Sequence, residues 1–102
     1  MNTETSRLIE SITGAKLTLG KAIWALRTCE ESSQADFANK LGVSKQYLSA
    51  LENNRKTMSV KQAQKFAQIL GHSEQVFIEL ALQDLLDRNN IHFAVDLHEC
   101  AA

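Results

Sequence analysis

Ser33-Gln34-Ala35-Asp36-Phe37-Ala38-Asn39-Lys40-Leu41-Gly42-Val43-Ser44-Lys45-Gln46-Tyr47-Leu48-Ser49-Ala50-Leu51-Glu52-Asn53 is the stretch whose reading decides the fold. It holds two short helical patterns, each opened by a serine. Ser33 and Ser44 stand as N-caps, where a side-chain oxygen accepts an orphan amide of the first turn. Asp36 completes a near capping box and suits the positive helix start. Phe37, Ala38 and Leu41 recur at i, i+1, i+4 and make one apolar stripe. Gly42 stops the first helix, because a left-handed residue there favours glycine. Val43 plugs the corner. Leu48 and Leu51 face inward from the second helix. Lys45, Gln46, Ser49 and Asn53 fall on its opposite face, and Ala38 is small where the two helices would cross.

Serine caps, a glycine stop and apolar spacing occur in any helical hairpin. Alone they would fit a protein-interaction domain as well as a DNA binder. The full residue run adds specificity. Ser33-Gln34, Phe37-Ala38, Leu41-Gly42-Val43-Ser44, Leu48-Ser49 and Leu51-Glu52-Asn53 resemble the Cro/repressor, or XRE-type, helix-turn-helix family. Leu26-Arg27 fits that family's first helix, and Ser59 fits the start of its fourth. The resemblance covers roughly residues 18 to 88. The chain departs from the family at Asn54, where a glycine is usual, and at Met58, where a proline is common. Asparagine tolerates the left-handed backbone better than most residues, so the turn should survive. Met58 is read only as a loss of loop stiffness.

The resemblance implies an all-α fold: a five-helix, repressor-like DNA-binding domain over 18–88. Flanking it are an N-terminal extension, 1–17, and a C-terminal tail, 89–102. It implies base contacts from Lys45, Gln46 and Ala50, with Ser49 beside them on the same face. It also implies a phosphate contact from Gln34 and a structural pair between Arg27 and Glu52. Chemistry agrees with the reading face. Gln46 can hydrogen-bond an adenine edge in two places, Lys45 can reach guanine acceptors, and Ala50 can touch a thymine methyl. Gln34 stands at a helix N-terminus, which favours phosphate. Asn53, Arg55 and Lys56 would hold the DNA backbone on the other side. Trp24 is read as a partly buried packing residue. Tyr47 either packs at the helix junction or donates to a phosphate.

The remaining sequence bounds these expectations. At 102 residues the chain supports one core. It has no proline, four glycines and 44% hydrophobic residues, which favours helices. No apolar run reaches a membrane-spanning length, and the N-terminus has no signal-peptide core. Cys29 and Cys100 lie far apart with no CxxC, which suits a reduced compartment. A net charge of −1 is unusual for a DNA binder, but its distribution is not. Residues 33–65 carry +4, residues 66–102 carry −5, and residues 1–32 balance.

Further helices are read from pattern. Thr3 to Ile12 forms a weak amphipathic helix ending at Gly14. Thr18 to Glu30 buries Leu19, Ala22, Ile23 and Leu26. After a polar loop, Ser59 caps a helix with Ala63, Phe66, Ala67 and Leu70 inward, stopped by Gly71. Ser73 caps the last, with Val76, Phe77, Leu80, Ala81 and Leu85 inward, ending near Arg88. Leu82 and Leu86 face elsewhere and suggest a partner surface. Ile91, Phe93, Val95 and Leu97 alternate with polar or small residues, a pattern that predicts a short strand. A lone strand is unstable, so it needs Ala15-Lys16-Leu17 or a second subunit beside it. Leu82, Leu86, Phe93 and Val95 are the expected dimer contacts.

No Ser-His-Asp or Cys-His arrangement, phosphate-cradling loop or carboxylate pair is recognisable, so no enzyme is expected. His92, His98, Glu99 and Cys100 lack the spacing of a zinc site, and no metal or cofactor is expected. The expected protein is a cytoplasmic, dimeric, sequence-specific transcriptional regulator of bacterial or phage type, acting as a repressor on a palindromic operator. Its partners would be double-stranded DNA and a second copy, and no membrane. The alternative is an antitoxin whose main partner is a toxin protein, with DNA binding for autoregulation.

Overall fold

A computed structural model describes residues 17–100. Among them run α1 (Leu19–Cys29), α2 (Gln34–Leu41), α3 (Lys45–Glu52), α4 (Val60–Leu70) and α5 (Glu74–Arg88). The expected helix over 3–12, the extension ahead of residue 17, and Ala15 and Lys16 as strand partners lie outside the described residues.

Every start is capped as its sequence dictates. The side chains of Thr18, Ser33, Ser44, Ser59 and Ser73 accept the amides of Lys21, Asp36, Tyr47, Gln62 and Val76. The stops are equally local. Gly42 ends α2 at φ 73° and Gly71 ends α4 at φ 69°, both left-handed. Asn54 takes φ 57° after α3 and fills the role usually given to glycine.

Phe37, Phe66, Phe77, Ile23, Leu41 and Leu48 fill the centre of the core, each fully buried. α4 packs along α5, while α1 and α2 both pack on α3. Together they fix the orientation of α3 from behind and leave its outer face open. Met58 is 2% exposed and belongs to this core. The substitution therefore does more than loosen the loop: it adds an apolar anchor between α3 and α4.

The last helix differs from its reading. Phe77 and Ala81 are buried, Val76 and Leu80 are half-buried, and Leu85 is exposed. Among the described residues Leu85 has little to pack against, while Leu86 next to it is half-buried. The expected C-terminal strand is likewise not formed among the described residues. Residues 91–98 run alongside α5 without a main-chain ladder, because their neighbour among the described residues is a helix, whose backbone bonds are already used. Side chains bond the segment instead: Gln83 and Glu79 bond Phe93, Val95 and Leu97. Among the described residues no helix is long and apolar enough to cross a membrane.

Candidate nucleic-acid interface

α3 supplies the centre of the site. Its inner residues Leu48 and Leu51 are buried, so the helix cannot rotate without emptying the core. Lys45 and Gln46 are exposed in its first turn, and Ser49 and Ala50 lie half-exposed one turn on. Gln34 comes from the first residue of α2, and Arg55 and Lys56 come from the loop after α3. Gln34, Lys45, Gln46, Ser49, Ala50, Arg55 and Lys56 line one concavity of about 580 Å³. Three of these seven are cationic and none is acidic. Residues from two helices and a loop, separated by up to 22 positions, thus converge on a single positive surface.

Asn53 is the expected contact that does not join them. Its Nδ2 donates to Ser49 O at 2.8 Å, closing the end of α3, and its backbone N–H bonds the same carbonyl. An asparagine that folds back on its own helix cannot extend outward in the same conformation.

Behind the concavity lies a buried ionic cluster. Glu52 is 6% exposed. Arg27 Nε donates to its Oε2 at 2.7 Å, and Arg27 Nη2 donates to its Oε1 at 3.0 Å. This is the bidentate geometry that guanidinium and carboxylate favour. Gln34 Nε2 donates to the same Oε1 at 3.0 Å, and Arg27 Nη1 donates to Ser32 O. One carboxylate therefore ties α1, the entry to α2, and the end of α3. The bond also aims Gln34: its amide nitrogen is anchored inward with one N–H left, while the unpaired first-turn amides of α2 face outward.

Tyr47 has an arrangement that the sequence alone left open. Its ring packs against the core, and burial pushes its phenol above the ordinary value. Lys56 Nζ sits 5.7 Å from the ring centroid, in cation–π range. The ring thereby holds a loop lysine next to α3. Trp24 is half-buried on α1.

Sequence reasoning missed three supports of this site. A Cβ on Gly20 would lie 2.0 Å from Leu51 O and 2.6 Å from Asn54 Oδ1, so α1 touches the backbone end of α3 there. Thr18 Oγ1 donates to Asn54 Oδ1 at 2.9 Å, and Arg88 Nη2 donates to Asn54 O at 2.6 Å. The loop that carries Arg55 and Lys56 is thus clamped by both ends of the fold. A glycine inside an amphipathic helix was the one available signal, since it marks a close approach as readily as a weak spot. The remote partners Thr18 and Arg88 left no trace in local pattern.

Of the dimer expectations, Leu82, Leu86 and Val95 are half-buried, and Phe93 is 71% exposed. Cys29 and Cys100 are free thiols on the surface. His98 pairs with Asp96 at 3.4 Å, and no group of three metal-binding side chains gathers among the described residues.

The helix-turn-helix family model matches residues 32–77, from the turn before α2 into α5. No curated protein and no solved structure matches the chain.

Proposed function

Since residues 32–77 are a helix-turn-helix of the Cro/repressor, XRE type, we propose that this protein represses transcription as a dimer on a palindromic operator. DNA binding follows from the module: a recognition helix enters the major groove with its first turns against base edges, and the preceding helix crosses the backbone. α3 is the recognition helix. Lys45, Gln46, Ser49 and Ala50 read bases, and Gln34, Arg55 and Lys56 contact phosphates on either side.

The observation that carries this reading is the shared concavity. Seven side chains chosen for their chemistry line one positive surface, although they come from three segments. Asn53 is left out of the reading set and serves as the end of α3. The Arg27–Glu52 pair positions rather than reads, because the two groups bond each other.

Dimerisation follows from area and affinity. One module of this size covers too little DNA for tight specific binding, and two half-sites supply the rest. Leu82, Leu86, Phe93 and Val95 form the contact, at the end of α5 and on the tail. A selection of bound sequences from random DNA tests the whole reading. It should return an inverted repeat with half-sites about one helical turn apart. Enrichment of no sequence over the starting pool would reject it.

The charge of −5 on residues 66–102 favours a second reading. An acidic C-terminal segment suits a small basic protein, as in an antitoxin that also binds its own operator. Tight operator binding by the pure protein alone favours the repressor; binding that needs such a partner favours the antitoxin.

A further inference from the structure

The tail offers one edge to α5 and leaves the other free. Gln83 Nε2 donates to Phe93 O at 2.9 Å, and Gln83 Oε1 accepts Val95 N at 2.8 Å. Glu79 Oε1 accepts Leu97 N at 3.1 Å, Gln75 Nε2 donates to Leu97 O, and Ile91 N donates to Leu86 O. Gln75, Glu79 and Gln83 stand four apart on α5, so they form a stripe along the helix. Within 91–97 every bonded main-chain group belongs to an odd-numbered residue. In an extended chain, the N–H and C=O of alternate residues point to opposite edges. The groups of His92, Ala94 and Asp96 therefore face away from α5, and none has a main-chain hydrogen bond among the described residues. The helix side chains take the place of a neighbouring strand on one side only. An extended edge with unpaired groups is a template for another chain. No proline or lysine blunts this one, and Ile91 and Phe93 are exposed beside it.

We propose that residues 91–97 pair with the same segment of a second copy, antiparallel, across a twofold axis at Ala94. This rests on the dimeric reading above and assigns its register. Within 91–97 the even-numbered residues turn their main-chain groups to the edge away from α5, so they must form the hydrogen-bonded pairs. A twofold at Ala94 places Ala94 opposite itself and His92 opposite Asp96 of the second copy, twice by symmetry. It sets Phe93 beside Val95 and Ile91 beside Leu97 on the other face. Shifting the axis to Val95 places His92 opposite His98 and leaves Asp96 facing Ala94. Shifting it to Phe93 leaves Asp96 facing Asn90. An imidazole of His92 opposite the Asp96 carboxylate, which can accept its N–H, and the apolar cross-strand pairs both favour the axis at Ala94.

Single cysteines test the register in the full chain with C29S and C100S, under mild oxidation, beside light scattering for the oligomeric state. Directly opposed residues lie within disulfide reach, at about 4.5–5.5 Å between Cα atoms. Ala94→Cys should run as a covalent dimer. Phe93→Cys and Val95→Cys should each stay uncrosslinked alone and link when mixed. A dimer in solution that links through Val95→Cys or Phe93→Cys alone, or not at all through Ala94→Cys, overturns the register and leaves the dimeric reading standing. A monomer by light scattering overturns both.

Discussion

Asn54 stands where a left-handed turn is needed, at φ 57°, and its side chain and carbonyl are both bonded from a distance, by Thr18 and Arg88. Its tolerance of that backbone could be read from residue type. Its partners could not, because they lie 36 and 34 positions away. Gly20 makes the same point from the other side of the contact. Replacing a helical glycine with alanine ordinarily stabilises by about 0.5–1 kcal/mol. Here the new methyl would meet a backbone oxygen that cannot move without shifting α3. Overpacking of this kind costs about 1–3 kcal/mol, so the sign reverses. Gly20→Ala should lower stability in denaturant unfolding and weaken DNA binding with it. A variant as stable as the parent would show that α1 and α3 do not touch as described.

Elements were legible where their signals are local. The serine caps and glycine stops of α2 and α4 depend on a few neighbouring residues, and both helices run between them as expected. α5 and the tail were less legible because their packing depends on where the core ends. Leu85 has the right period for burial but is 39% exposed. The alternation at 91–97 is real strand chemistry, yet its neighbour among the described residues is a helix, whose backbone bonds are already used. Between elements, the Arg27–Glu52 pair has a measurable weight. Removing Arg27 leaves a nearly buried carboxylate without its charge partner, a loss of about 3 kcal/mol. Arg27→Ala should lower stability by that order, and adding Glu52→Gln should recover part of it by removing the stranded charge. If Glu52→Gln makes Arg27→Ala worse by its full separate cost, the two residues do not act as a pair.

At the scale of the molecule, charge is divided as sharply as the fold. The positive surface at α3 and the loop after it belongs to the +4 segment, while α5 and the tail carry the acid. A chain of net charge −1 can therefore bind DNA through one face. Phosphate contacts on that face should show in the salt dependence of affinity. Lys56→Ala should weaken binding to every sequence alike and reduce the salt slope by about 1 per subunit. An unchanged slope would place Lys56 over Tyr47 for packing alone. Base reading makes a different demand, since it must distinguish one sequence from another. The direct measurement is the affinity of Gln46→Ala for the selected operator and for random DNA, at one salt concentration. With α3 as the reading helix, the substitution costs about 1–3 kcal/mol on the operator and little on random DNA. Equal losses on both, or none on the operator, would contradict the assignment of α3 as the element that reads the sequence.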